Sequence, residues 1–165
     1  ESKFLRIRQE RQGIYIQSFG KQDTIAFYAL WGNSLEEIYS LSEQEEEYGS
    51  LYDIDGEIYF ILTKDVYQYR DGEFQRQFAL HYPEFGYQIF GRHMKDIFVR
   101  MRDGLAHYNG TDLQYLYKFP LESQASISPS PVLFEAEVFF PVWAPGLAKP
   151  NMILHGTLKE EKRMP

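Results

Sequence analysis

The sequence predicts an all-β protein built from antiparallel four-stranded meanders arranged as propeller-type blades. Three observations predict it. Aromatic residues make up 17% of the chain, with 13 Tyr and 13 Phe, and such side chains fit pleated, half-buried surfaces. The stretches 58–80 and 97–119 alternate apolar and polar residues and are punctuated by Asp-Gly and Asn-Gly pairs, spaced too closely for helices. Finally, 31–39 (WGNSLEEIY) and 90–98 (FGRHMKDIF) match in residue class position by position, the mark of an internal repeat.

The elements follow in order. Alternation gives strands at Phe4–Arg8, Gly13–Phe19 and Thr24–Trp31. After Trp31 two signals compete. Ser34 and Glu37 form a capping-box pair, which favours a short helix, but the matching residues 93–102 alternate as a strand, so a strand is expected. The Glu-rich run 42–48 reads as a solvated loop. "DIDG" at 53–56 resembles the start of a calcium loop but lacks the later ligands that such a loop needs, so a β-turn is expected. Strands at Ile58–Leu62 and Val66–Tyr69, a turn at Asp71-Gly72 and an alternating strand through Phe74, Phe78 and Leu80 follow.

The clearest meander begins at "YQIF" (87–90). Ile97, Val99 and Met101 alternate with Phe98, Arg100 and Arg102, then a two-residue turn is expected at Asp103-Gly104 and a second at Asn109-Gly110. Leu113, Tyr115, Tyr117 and Phe119 form the last strand. Downstream come a strand at Glu137–Trp143, a Pro/Gly loop, "MILH", a turn at Gly156 and "TLK". The expected organisation is one domain, 1–165, with blade-like units at about 25–80, 87–119 and 126–159. Residues 1–24 add extra strands, and 160–165 form a polar tail. Three units are fewer than a closed propeller holds, so the ring is expected to be partial or completed by a partner.

Composition removes several function classes. The net charge is −7, from 24 acidic and 17 basic residues, with no basic stripe for nucleic acid. There is no Cys, hence no disulfide, thiolate metal site or Cys nucleophile. No apolar run approaches the ~20 residues of a membrane helix, and the longest, "EVFFPVWAPGLA", is broken by two prolines. Residue 1 is Glu and no signal peptide is visible, which reads as a processed form or a fragment.

The residues carry a resemblance. Trp31, Gly32, Ser34, Glu37, Ile38 and Tyr39, and again Gly91, Asp96, Ile97 and Phe98, are similar to propeller blades of the form W-G-x-S-x-x-D-V-Y; Leu105, His107, Tyr108, Asn109 and Gly110 match the following I-x-H-Y-D-G element. Residues 25 to 159 are covered. Phe90 departs from the pattern by replacing Trp, and the third unit lacks the W-G-x-S element. Such blades occur in large bacterial extracytoplasmic and surface proteins. The resemblance therefore implies an extracytoplasmic location, in the periplasm or at the cell surface, and a scaffold or binding role.

Candidate residues for chemistry are few. His81, His93, His107 and His155 show no zinc-like spacing, so neither metal nor cofactor is expected. His107 and His155 share a place just before a turn and read as structural. Asn33 and Ser34 in one unit, and Arg92 and His93 in the other, are expected in loops at one end of the sheets, where such folds bind partners. Trp31 reads as core; Trp143, among prolines at a strand end, is the exposed aromatic candidate. Glu37 and Asp96 recur with the repeat and read as structural, while Glu135 and Glu137 share a strand face by their spacing. The expected role is a non-enzymatic protein-binding or scaffold module, with Asn33, Ser34, Arg92, His93 and Trp143 as binding residues. The alternatives are a carbohydrate-binding or glycoside-hydrolase propeller and a sensor domain of a signalling receptor.

Overall fold

A computed structural model of the chain describes residues 4–10, 13–19, 24–42, 49–62, 64–80, 86–143 and 151–157. These residues form sixteen antiparallel strands and one 3-10 turn at Leu121–Ser123. The chain divides into two compact units, Glu1–Phe85 and Gly86–Pro165. Each holds two four-stranded sheets.

In the first unit, β1 (Phe4–Glu10), β2 (Gly13–Phe19), β3 (Thr24–Trp31) and β4 (Ser34–Ser42) pair in sequence order. So do β5 (Gly49–Ile54), β6 (Glu57–Leu62), β7 (Asp65–Arg70) and β8 (Glu73–Ala79). In the second unit, β9 (Gly86–His93), β10 (Asp96–Met101), β11 (Gly104–Tyr108) and β12 (Leu113–Lys118) repeat that order. The fourth sheet is built differently. Its central strand β15 (Glu137–Trp143) pairs with the short β13 (Ser126–Ile127), with the short β14 (Val132–Leu133) and with β16 (Asn151–Thr157).

Antiparallel meanders are thus what the chain forms; no closed ring of sheets is seen among the described residues. The grouping differs from the expectation in one respect. The span 25–80 is shared between two sheets, and β1 and β2 are the first half of the first sheet rather than additions to it. The reason lies in β4. It folds back along the whole of β3, from Trp31 opposite Ser34 to Thr24 opposite Ser42, which completes a sheet before the Glu-rich segment begins. Strand pairing also overrides the Ser34–Glu37 capping signal. The loop expected at 42–48 falls mostly outside the described residues.

The turns explain the registers. Asp55-Gly56 and Asp71-Gly72 both have positive φ at both positions (55° and 73°, 54° and 84°). That is the type I′ requirement, and it matches the right-handed twist of the flanking strands. Asp53 accepts a hydrogen bond from the Gly56 N–H at 3.1 Å, so "DIDG" is a hairpin turn. The turn expected at Asp103-Gly104 is displaced by one residue. Met101 pairs with Gly104, which leaves Arg102-Asp103 at the tip. Gly104 is needed for a different reason, since a Cβ there would lie 2.1 Å from the Tyr117 carbonyl oxygen. Asn109 closes its loop through its side chain, accepting from the N–H groups of Thr111 (2.9 Å) and Asp112 (2.8 Å). Gly156 is not a turn residue; it lies within β16, opposite Val138. The "TLK" strand expected beyond it runs into residues outside those described.

Each unit closes over an aromatic core. In the first, Phe60 of β6 meets Phe27 of β3 at 5.1 Å and Phe74 of β8 at 5.0 Å, all edge-on, with Tyr15 and Tyr69 alongside. Edge-on pairs of this kind add about 0.5–1.5 kcal/mol each beyond the area they bury. In the second, Phe98 of β10 packs on Phe140 of β15 at 5.1 Å, flanked by Leu105, Ile127, Val138 and Val142. Along β15 the alternation is clean: Val138, Phe140 and Val142 are buried, while Glu137 and Trp143 are exposed and Phe139 and Pro141 partly so.

Candidate functional site

Three sheets carry one side-chain arrangement at the start of the second strand and the facing part of the third. An acidic residue opens the strand, an aromatic follows two residues later, and a His or Gln opposite the aromatic reaches back to the acid. In the second sheet these are Glu57, Tyr59 and Gln68; Gln68 Nε2 donates to Glu57 Oε2 at 2.8 Å. In the third they are Asp96, Phe98 and His107, with His107 Nε2 at 2.8 Å from Asp96 Oδ1 and its ring 4.7 Å from that of Phe98. In the fourth they are Glu137, Phe139 and His155, at 3.2 Å and with the rings stacked 4.5 Å apart. The shared role of His107 and His155 is therefore to tie the two strands together.

The third-sheet copy is the most enclosed. Asp96 is 5% exposed and also accepts from Arg92 Nε. Arg92 Nη1 in turn donates to the carbonyls of Phe134 (2.6 Å) and Glu135 (2.8 Å), ahead of β15. Arg92 thus links the third and fourth sheets. Burial alone raises the Asp96 pKa, but the hydrogen bonds from His107 and Arg92 and their charges outweigh it and bring it down to about 2. A carboxyl held ionised in this way is a poor general acid.

This geometry settles where the expected binding residues lie. Arg92 is spent on Asp96 and two carbonyls. His93 ends β9, is exposed, and its Nδ1 accepts the Lys95 N–H at 3.2 Å, which shapes the Met94-Lys95 turn. Asn33 and Ser34 are exposed at the hairpin between β3 and β4. The two matching nine-residue stretches therefore occupy different hairpins, the third-to-fourth in the first sheet and the first-to-second in the third sheet. Trp31, expected in the core, is exposed and meets it at its margin through an edge contact with Tyr15 at 6.3 Å. Glu135 lies in the bend before β15, so it does not share a strand face with Glu137. Glu37 is exposed on β4, where it hydrogen-bonds Tyr28, and so does not repeat the role of Asp96. His81 lies outside the described residues.

Trp143 is placed as expected, and it has company. The outward face of the fourth sheet presents Trp143 (58% exposed), Ile153 (63%) and Phe134 (55%), together with Val132, Phe139 and Pro141. Register joins them into one surface: Val132 opposes Phe139, Pro141 opposes Ile153, and the Phe134 and Phe139 rings are 6.0 Å apart. A recess of about 390 Å³ lies at the Trp143 end, lined by Ser128, Pro141, Trp143, Met152 and Ile153. The sequence carried a trace of this face. "EVFFPVW" is apolar at both parities, which a strand covered on one side alone does not need. No helix among the described residues is long and apolar enough to cross a membrane, and no metal-binding cluster of His and acidic residues occurs among them.

No family model matches the chain, and no curated protein matches it either.

Proposed function

We propose that the chain is a non-enzymatic protein-binding module of a bacterial extracytoplasmic assembly, working as one part of a scaffold of β-sheet blades. The observation that supports this most is the outward face of the fourth sheet. Scattered exposed apolar residues are ordinary, but a contiguous aromatic and aliphatic face marks an interaction surface. Trp143, Phe134 and Phe139 are anchors of the type that dominates protein interfaces, and the half-exposed Glu137 and His155 supply a polar rim. The extracytoplasmic location rests on the blade resemblance alone.

The test uses Trp143 as its own reporter. In a Trp31→Phe background, its emission is that of water-exposed indole. Extracts of a bacterial cell envelope are passed over the immobilised protein, and the retained partner is purified and added back. A blue shift of Trp143 emission that is absent in Phe134→Ser, with retention lost in both Trp143→Ser and Phe134→Ser, supports the reading. Retention that survives both substitutions overturns it.

A second reading has one observation in its favour. An exposed indole beside a recess of about 390 Å³ is the kind of platform on which a sugar ring stacks. Quenching or shifting of Trp143 emission by soluble glycans, without any retained protein, favours that reading instead.

A further inference from the structure

The loop that joins β11 to β12 holds the only Asn-Gly pair in the sequence, Asn109-Gly110; the other two asparagines precede Ser34 and Met152. The hydrogen bonds of this loop converge on the Asn109 side chain. Its Oδ1 accepts from the Thr111 N–H at 2.9 Å and from the Asp112 N–H at 2.8 Å. The Asn109 N–H donates to the Asp112 carbonyl at 3.2 Å. We propose that this loop is a self-modifying site: the Gly110 nitrogen attacks the Asn109 carboxamide, closes a cyclic imide and converts Asn109 to aspartate or isoaspartate.

The step balances with water as its only co-reactant. The Gly110 nitrogen gives its proton to water or hydroxide and bonds to Asn109 Cγ, and the C=O electron pair moves onto Oδ1. When that pair returns, the Cγ–Nδ2 bond breaks, and Nδ2 takes up a proton and leaves as ammonia. Water then opens the imide. Cleavage between Cγ and the Gly110 nitrogen restores the ordinary main chain with aspartate at 109. Cleavage at the main-chain carbonyl leaves isoaspartate, with the main chain routed through the former side chain.

The geometry favours this step. In the tetrahedral adduct the negative charge sits on Oδ1, the atom that already accepts from two backbone N–H groups; donors placed in this way stabilise a developing oxyanion. The same two bonds fold the carboxamide forward over the peptide that follows it, toward the nitrogen that attacks. That nitrogen is unengaged, since the Gly110 N–H makes no backbone hydrogen bond among the described residues. It is also the least hindered nucleophile the chain can present. Only Gly fits here, with φ at +95° and a Cβ that would lie 2.6 Å from Lys95 Cγ. Asn109 is exposed, so water and hydroxide reach it.

The two products affect the hairpin differently. Aspartate keeps an oxygen for the Thr111 and Asp112 N–H groups and adds one negative charge to the net −7. An Asp-Gly pair already turns the corresponding hairpin of the second sheet, at Asp71-Gly72. Isoaspartate instead adds a methylene to the main chain between Tyr108 and Leu113, the pair that closes the hairpin.

The full chain is aged at mildly alkaline pH, folded and, in parallel, unfolded in guanidinium chloride. Peptide maps follow the mass gained when NH is exchanged for O at each asparagine. Asn109 is expected to convert at least as fast in the folded chain as in the unfolded one, while Asn33 and Asn151 stay intact over the same period. Hydroxylamine, which cleaves cyclic imides, cuts the aged chain after residue 109 and leaves Asn109→Gln, which would need a larger ring, whole. Thr111→Pro removes one of the two donors and slows conversion in the folded chain by at least about tenfold. The comparison of folded with unfolded chain needs no substitution, so it decides the matter should Thr111→Pro fold poorly. Four outcomes overturn the proposal. One is slower conversion in the folded chain than in the unfolded one, since the loop then guards Asn109. Another is conversion of Asn33 or Asn151 as fast as that of Asn109. The third is an aged chain that hydroxylamine leaves whole. The last is an unchanged rate in folded Thr111→Pro.

Discussion

Removing the Asp96 carboxylate would leave the partly buried Arg92 beside His107 with no countercharge. Breaking a buried ion pair by deleting one partner costs about 3–5 kcal/mol, because the remaining charge stays out of water. Asp96→Asn is therefore expected to lower the stability of the second unit by roughly 3 kcal/mol, read as a fall in the urea midpoint. The same group sets a pH dependence. Its pKa is lowered from 3.8 to about 2 in the folded chain. The stabilisation is thus fully present above about pH 4 and disappears as pH falls through about 2, a loss of about 2 kcal/mol. Urea midpoints of the unsubstituted chain and Asp96→Asn should converge across that window; curves that stay parallel down to pH 2 would count against the ion pair. None of this was legible in the sequence, where Arg92 read as a loop residue open to partners. The four-residue spacing of Arg92 and Asp96 spans a tight turn, and only strand pairing brings the two together with His107.

At the scale of elements, the strands were legible because the period of two is a local signal. The turns were legible in kind and less so in register. Asp71-Gly72 lies where expected because both positions require positive φ. Asp103-Gly104 looks identical in sequence, yet the hairpin shifts by one so that Gly104 can pass close to the Tyr117 carbonyl. The two glycines should therefore respond differently to alanine. Gly72→Ala, with open space around its Cβ, bears only the left-handed backbone cost of about 1–2 kcal/mol. Gly104→Ala must push β11 from β12 and is expected to cost more, at least about 2 kcal/mol. Thermal unfolding of the two variants side by side checks the order. The strand at Ser34–Ser42 teaches a related lesson. A good local cap yields to a full partner strand, since β4 finds eight paired positions along β3.

For the molecule as a whole, composition announced the class, and pairing decided the grouping. The matched stretches at 31 and 90 suggested one repeat boundary, but similar residue classes occur at two different hairpins. The arrangement shared by the second, third and fourth sheets sits instead on facing strands. It joins residues eleven or eighteen apart that only a register can align. The same holds for the outward face of the fourth sheet, which exists only once β15 and β16 are laid side by side. Aromatic cores carry each unit, so Phe60→Ala should cost about 3–5 kcal/mol. Trp31→Ala and Trp143→Ala, both at exposed positions, should each cost under about 1 kcal/mol. Calorimetry distinguishes these outcomes directly.

Pro141 sits in the middle of the fourth sheet's central strand, a position that ordinarily rejects an imino acid. It is accepted here because its nitrogen turns toward the stretch between Ile127 and Val132, where the adjoining ladder is interrupted and asks for no donor. The same interruption leaves Ser128 and Pro141 as walls of the recess beside Trp143. A variant that restored the amide and straightened 128–131 into an unbroken strand would gain backbone bonds and lose the hollow.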